Sequence, residues 1–192
     1  MRASIYADVI GSRSLEDPTD LVPTLGEAAR LLNTLFKTTI AVPFTVDFGE
    51  EMRGGLEDPV QAPLCVSVLR ETLAPLPVRV GVGFDTTAHD AFTRAAREDR
   101  LTCYEGTGEA GDLLLNAFAG LVDPLLRART DDEWKAVAAM RVCGDVKAAA
   151  ETLGLTPRAM SARLKGGHWQ PVEQADATVA AYLSALVMPA QL

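Results

Sequence analysis

The chain has 192 residues, of which 48% are hydrophobic and 23% charged, and its formal net charge is −8. This length allows one domain of ordinary size or two small ones, and we expect two. Three cysteines lie far apart without a C-x-x-C pair, which argues against a disulfide framework and a zinc site and favours a reducing cytoplasm. No apolar leader follows Met1 and no uncharged apolar run of about 18 residues occurs, so we expect neither secretion nor insertion in a membrane.

Residues 1–104 alternate between strand-like and helix-like patterns. Alternation with period two predicts strands over residues 4–10 and 78–84, and a less regular one over 41–48 because of Pro43. Helical spacing predicts a helix in each gap between these strands and a further helix over 89–97. Glycines after the second strand predict a tight hairpin with a short return strand. The order strand, helix, hairpin, helix, strand predicts a ferredoxin-like split βαβ sheet.

The segment EGTGEAGD, residues 105–112, contains three glycines and no large apolar side chain. It predicts a flexible linker between a domain over residues 1–104 and an all-α domain over residues 113–192. Charge is distributed unevenly along the chain. Up to residue 123 acidic side chains outnumber basic ones by about nine, whereas after it basic ones are in excess by about one.

A candidate anion and metal site lies at the end of the first strand. Asp8 shares a face with Tyr6 in an apolar strand, where an unpaired carboxylate is costly to bury. The predicted hairpin places Glu50, followed by Glu51, beside it, and paired carboxylates suit Mg²⁺. The loop after the strand predicts a phosphate cradle formed by Gly11, Ser12 and Arg13. The alternative is that the acids serve only as strand-edge or capping devices and that the loop is an ordinary turn.

The C-terminal part contains consecutive helix start and stop signals. Thr130 begins a capping box, T-D-D-E, for a helix that ends at Gly144. A short apolar-faced helix follows and ends at Gly154, whose type suits a left-handed turn. Thr156 and Pro157 then start a third helix that stops at Gly166-Gly167. These signals predict a helix-turn-helix over residues 145–165.

The third of these helices carries three basic residues, Arg158, Arg163 and Lys165. We expect the helix-turn-helix to contact double-stranded DNA, with candidate contacts at Lys147, Thr156, Arg158, Ala159, Ser161, Arg163 and Lys165. The alternative is a three-helix packing module with a solvated basic face. A last helix over residues 171–187 is apolar enough to serve either its own domain or a homodimer, and we expect a homodimer.

Several motifs of the chain occur in the order found in the SatD family. YADVIGSRSLED resembles its G-D-I-V-G-S-R block, FTVDFGEEMRGGL its G-D-E-F-Q-G block, and VRVGVGF its V-R-x-G-I-G strand. The resemblance covers most of the chain and implies a bacterial cytoplasmic protein with a DNA-binding C-terminal end. The helix-turn-helix itself resembles the sigma-factor and LuxR type.

The N-terminal blocks are also distantly similar to the palm of class III nucleotidyl cyclases. By motif, Asp8 matches the first metal-binding aspartate, and Glu50 replaces the second. Met52 stands where the SatD pattern has phenylalanine, and the base-reading and transition-state Asn and Arg of active cyclases have no match. The resemblance therefore implies nucleotide sensing or a relic fold in preference to turnover.

Together these patterns predict an α+β protein with a ferredoxin-like, cyclase-palm-like sheet and a helical DNA-binding end. The predicted function is that of a bacterial transcriptional regulator, with a nucleotide or Mg²⁺ as the ligand of its N-terminal domain. The alternative is a metal-dependent nucleotidyl cyclase or nucleotidyl-transfer enzyme whose helix-turn-helix is accessory.

Overall fold

The computed structural model describes residues 1–12, 21–47 and 51–187 as a mixed α+β fold with one five-stranded sheet. The strands are β1 (Ala3–Val9), β2 (Ile40–Asp47), β3 (Glu51–Leu56), β4 (Val78–Phe84) and β5 (Thr102–Glu105). The helices are α1 (Leu21–Leu35), α2 (Ala62–Leu73), α3 (Ala88–Arg97), α4 (Glu109–Arg127), α5 (Asp131–Cys143), α6 (Val146–Thr152), α7 (Pro157–Gly166) and α8 (Trp169–Val187). Within the described residues, no helix combines the length and apolar character needed to cross a membrane.

The sheet has the order β2-β3-β1-β4-β5. β1 lies between β3 and β4 and pairs antiparallel with both, β2 pairs antiparallel with β3, and β4 pairs parallel with β5. The register of β2 shifts twice, between Ile40 and Val42 and between Val42 and Thr45. Pro43 lies within the second shift and lacks the N–H that a regular ladder needs, which accounts for the irregular alternation of this edge strand.

The main core covers one face of the sheet. Alternate residues of β1, from Ala3 to Val9, are buried there against α1 and α2. Helices α4 and α8 contribute to the same core through four buried side chains, Leu115, Ala119, Val179 and Leu183. The opposite face of β1 carries Tyr6 and Asp8, which are half-buried. The sheet thus separates a packed apolar face from a more polar one.

Helix α3 packs on part of this polar face at very short range. A Cβ atom on Gly81 would lie 2.3 Å from the backbone nitrogen of Phe92, and one on Gly83 would lie 2.7 Å from the carbonyl oxygen of Thr86. The glycines of VRVGVGF are therefore needed for the close approach of α3, and of the turn before it, to the strand.

The segment 105–112 is more ordered than its composition predicts. It holds the last residue of β5 and the start of α4, and the side chain of Asp112 accepts hydrogen bonds from the backbone N–H groups of Gly106 and Thr107. A Cβ atom on Gly111 would lie 2.4 Å from the hydroxyl of Tyr182 in α8. These glycines serve tight turns and close packing. The division of the chain at this segment stays a prediction.

Most predicted elements are confirmed within one or two residues. β4 has the predicted bounds, β1 begins and ends one residue earlier than expected, β2 begins one residue earlier, and α8 begins at Trp169, two residues before the predicted start. The sequence predicted neither β5 nor α4. β5 has four residues, three of them buried, and therefore shows no alternation, and α4 begins in the glycine-rich segment.

Candidate functional site

Helices α5, α6 and α7 form a three-helix unit whose turns are fixed by local capping. Thr130 Oγ1 accepts from the Glu133 backbone N–H while the Glu133 carboxylate accepts from the Thr130 N–H, so the predicted capping box is confirmed. Gly144 and Gly154 have φ values of 67° and 64°, the left-handed conformation that ends α5 and turns α6 into α7. Thr156 Oγ1 accepts from the Ala159 N–H and starts α7.

The three-helix unit has a small core of its own. Its buried side chains are Ala136, Val137, Ala149, Ala150, Met160 and Leu164. Ala149 and Ala150 are 0% exposed, which allows α6 to approach α5 and α7 closely. This cluster is separate from the core of the sheet, and its buried members all lie within residues 136–164.

The predicted DNA contacts fall into two groups on this unit. Lys147, Arg158 and Lys165 are exposed, as are Thr156 and Ser161, whereas Ala159 is half-buried. Arg163 Nη2 donates to Asp132 Oδ2 at 2.6 Å, so its charge is already paired with the first turn of α5. The hydroxyls are engaged too: Thr156 caps α7, and Ser161 Oγ donates to the Pro157 carbonyl at 2.9 Å.

A cluster of charged side chains, which the sequence did not single out, joins the three-helix unit to the sheet. Arg141 of α5 donates from Nε and Nη2 to both carboxylate oxygens of Glu71 in α2, at 2.5 and 2.8 Å, and from Nη2 to Glu173 of α8 at 2.6 Å. Its guanidinium also lies 4.9 Å from the ring centre of Trp169. Burial opposes the charge of Arg141, but the hydrogen bonds and charge of Glu71 raise its pKa. The contact is long-range in sequence, which is why no local pattern predicts it.

Arg129, in the segment before α5, is a second buried cation near this cluster. It is 8% exposed, its Nε donates to the Gly167 carbonyl at 2.6 Å, and its guanidinium lies 4.5 Å from the ring centre of Trp134. Burial lowers its pKa to about 10, while the nearby carboxylate of Glu71 opposes that shift. Arg129 and Arg141 are therefore structural cations, unlike the exposed ones of α6 and α7.

Four charged residues occupy successive strands at the end of β1. The register places Asp47 opposite Glu51, Glu51 opposite Asp8, and Asp8 opposite Arg79. We call the three acids Asp47, Glu51 and Asp8 the acidic row. The sequence predicted Asp8 beside the hairpin acids but did not single out Asp47, whose position in the row depends on the β2–β3 register.

Neighbouring side chains already bind parts of the acidic row. Arg53 Nε forms an ion pair with the Asp47 carboxylate, and Tyr6 forms a hydrogen bond with Glu51. Burial, this hydrogen bond and the negative charges of Glu51 and Asp8 all raise the pKa of Tyr6, so its hydroxyl stays a donor. Within the described residues, no group of three or more His, Cys, Asp or Glu side chains is arranged to hold a metal ion. Glu50, the second predicted metal ligand, lies outside those residues.

The predicted phosphate cradle is described only in part. Gly11 is exposed with φ 76°, and Ser12 is buried with 7% exposure. A glycine with positive φ two residues after a strand permits the sharp turn that such a loop needs. Arg13, the third predicted residue, lies outside the described residues. The cradle therefore stays a prediction.

No protein-family model matches the chain, and a comparison with curated proteins finds no match. Among solved structures, the chain is similar to the crystal structure of a regulator of polyketide synthase expression from Bifidobacterium adolescentis. The identity is 14%, the TM-score is 0.28, and the similarity covers 95% of this chain and 79% of that chain. A TM-score of this size supports no inference about fold or function, and the resemblance to the SatD family stays a prediction from the motifs.

Proposed function

We propose that the protein is a DNA-binding transcriptional regulator whose helix-turn-helix, α6 and α7, contacts double-stranded DNA. One observation supports this most: the three-helix unit packs around its own core and leaves three cations, Lys147, Arg158 and Lys165, exposed on the two helices of the motif. Four residues, 153–156, separate α6 from α7, which is the short glycine-containing turn typical of a helix-turn-helix.

In this proposal α7 is the recognition helix. Arg158 lies near its N-terminal end, the part that contacts base edges when such a helix enters the major groove. Lys165 and Lys147 suit phosphates on either side. Arg163 is a weaker candidate, because DNA would have to compete with Asp132 for its guanidinium.

The net charge of the chain favours a contact restricted to this unit. A formal charge of −8 repels DNA from most of the surface, so only a locally basic helix can approach the phosphates. The exposed cations of α6 and α7 provide such a place. This accounts for cations concentrated on one short helix of an acidic protein.

For the N-terminal part we propose a ferredoxin-like sensor domain that binds a nucleotide, with Mg²⁺ held by Asp8 and Glu50. The strand order β2-β3-β1-β4, with antiparallel pairing throughout and with α1 and α2 in the connections, supports the ferredoxin-like assignment. The acidic row supports a site that attracts cations. The acidic row would also suit the second candidate, a nucleotidyl-transfer enzyme, which differs from a sensor in that it converts the bound nucleotide.

Fluorescence anisotropy with labelled genomic duplex fragments tests the DNA-binding proposal. We expect the parent protein to bind duplex DNA. Arg158→Ala/Lys165→Ala should bind with an affinity at least about tenfold lower, since two charge contacts are lost. The matched control is Arg30→Ala/Lys37→Ala, which removes two exposed cations from α1 and its C-terminal end. Failure of the parent to bind any duplex, or equal losses in the two double variants, contradicts the proposal.

A further inference from the structure

Helix α4 has one face that faces solvent although it carries no charge. Its buried side faces the sheet and α8 through Leu115, Ala119 and Leu126. Between residues 110 and 124 every exposed residue is apolar, and these residues are Ala110, Leu113, Leu114, Ala117, Leu121 and Pro124. We call them the α4 stripe. Leu113 is 70% exposed and Leu121 is 72% exposed, among the largest values of any leucine in the described residues.

The spacing of the α4 stripe is that of a helix-packing seam. Ala110, Leu113, Ala117, Leu121 and Pro124 recur at intervals of three and four residues, as the apolar positions of paired helices do. Small Ala117 lies between the two most exposed leucines, which leaves room for a second helix to approach. An exposed apolar surface of this extent on one helix is typical of a protein-binding site.

We propose that the α4 stripe is a homodimer interface in which two copies of α4 pack antiparallel, with Ala117 at the two-fold axis. In this register Leu113 of one copy meets Leu121 of the other, because each lies four residues, about 6 Å, from Ala117. A two-fold axis requires such a self-complementary surface. The dimer is independent of DNA binding and extends the homodimer prediction, which rested on α8, to a different surface.

The charges at the two ends of α4 select the antiparallel orientation. Glu109 is exposed at the N-terminal end and Arg127 at the C-terminal end, about 12 Å and about 15 Å from Ala117 along the helix axis. Antiparallel packing brings Glu109 of each copy toward Arg127 of the other, whereas parallel packing would place like charges together. Arg127 also donates to the Asp99 carbonyl at 2.8 Å and forms an ion pair with the exposed Asp99 carboxylate at 3.2 Å, and these contacts hold its side chain at that end, where Glu109 of the second copy would join the pair. Opposed helix dipoles favour the same orientation.

Sedimentation equilibrium of the DNA-free full chain tests the interface. We expect the parent to approach about twice the chain mass of 20.5 kDa as its concentration rises, and Leu113→Glu/Leu121→Glu to weaken dimerisation by about a hundredfold or more, since four charges enter an apolar interface. Leu35→Glu, a change of the same type at a 56% exposed leucine of α1, is the matched control and should leave the dimer intact. Ala181→Glu, on the exposed side of α8, is a second control and should also leave the dimer intact.

A symmetric cross-link keeps the proposal testable if the double variant folds poorly. In a Cys143→Ser background, Ala117→Cys should form a disulfide-linked dimer under mild oxidation, whereas Ala128→Cys, directly after α4 and about 16 Å from Ala117, should not. A monomeric parent at every concentration overturns the proposal. Dissociation of the dimer by Ala181→Glu but not by Leu113→Glu/Leu121→Glu also overturns it. Cross-linking of Ala128→Cys in place of Ala117→Cys does so too.

Discussion

The three-helix unit and the acidic row are both candidate sites, but different kinds of contact build them. In the three-helix unit, caps and turns between near neighbours fix each helix, and the core closes within residues 136–164. The acidic row exists only because β1, β2 and β3 pair in one register. Local signals are therefore enough to locate the first site, whereas the second depends on strand pairing over some forty residues of sequence.

The contact of Arg141 with Glu71 connects the three-helix unit to α2, and breaking it should have the largest effect on stability. Arg141→Met leaves the Glu71 side chain, 6% exposed, without its counter-ion, and we expect a loss of about 3 to 5 kcal/mol in the free energy of unfolding. Urea denaturation measures it. Arg30→Met, which removes an exposed ion pair with Glu27, is the control and should change stability by less than about 1 kcal/mol.

The acidic row is a ligand-binding site only if Mg²⁺ and a nucleotide stabilise the protein through it. If the N-terminal domain binds Mg²⁺ and a nucleotide, the pair should stabilise the protein by about 2.7 kcal/mol when the nucleotide is present at about a hundred times its Kd. Asp8→Asn should abolish this gain in thermal unfolding without changing DNA affinity, whereas Asp90→Asn, an exposed acid of α3, should preserve it. No response of the parent to any Mg²⁺–nucleotide pair would remove the sensor proposal and leave the DNA proposal standing.

The stability of the packing between α8 and α2 should depend on pH through Asp176, a residue inside α8. Burial raises the pKa of Asp176 to about 6, although a hydrogen bond from Ser67 Oγ at 2.5 Å opposes the shift. The folded state therefore binds this proton more tightly than the unfolded state, so this group lowers stability as pH rises from about 4 to about 6. As pH rises from about 4 to about 6, the free energy of unfolding of Asp176→Asn should increase by about 1 to 2 kcal/mol relative to that of the parent. An unchanged difference between the two proteins across that range contradicts the assignment.

The smallest of these effects concerns the cap of α5. Thr130→Ala removes the hydroxyl that accepts from the Glu133 N–H, and we expect a loss of about 1 kcal/mol. Thr34→Ala, at an exposed threonine inside α1, should cost less than about 0.5 kcal/mol and controls for the loss of a hydroxyl. Equal changes in thermal stability for both variants would show that the capping box contributes nothing measurable.

The sequence predicted the elements whose ends carry strong local chemistry. Thr130, Gly144, Gly154 and Thr156 each have one dominant conformational role, and the structure places each as expected. The glycines of residues 105–112 also serve close packing, a role that composition alone does not distinguish from flexibility. Gly111 is small because Tyr182 of α8 lies against it, a contact between residues 71 positions apart that no local pattern contains.

The candidate sites divide in the same way. The exposed positions of Lys147, Arg158 and Lys165 followed from helical spacing, but the pairing of Arg163 with Asp132 depends on how α7 crosses the start of α5. At the acidic row, Asp8 could be selected as an acid in an apolar strand. Asp47 could not, because its place beside Glu51 depends on a β2 register that shifts twice.

The most direct test of the DNA-binding proposal is the salt dependence of duplex binding by fluorescence anisotropy, for the parent and for Arg158→Ala/Lys165→Ala. We predict that the logarithm of the parent's association constant falls linearly with the logarithm of salt concentration. The slope of the variant should be shallower by up to about two phosphate equivalents, because each cation removed leaves one phosphate that no longer releases its counterions on binding. A parent that shows no salt-dependent binding, or a variant with the same affinity and slope, would contradict the assignment of α7 as the DNA-contacting helix.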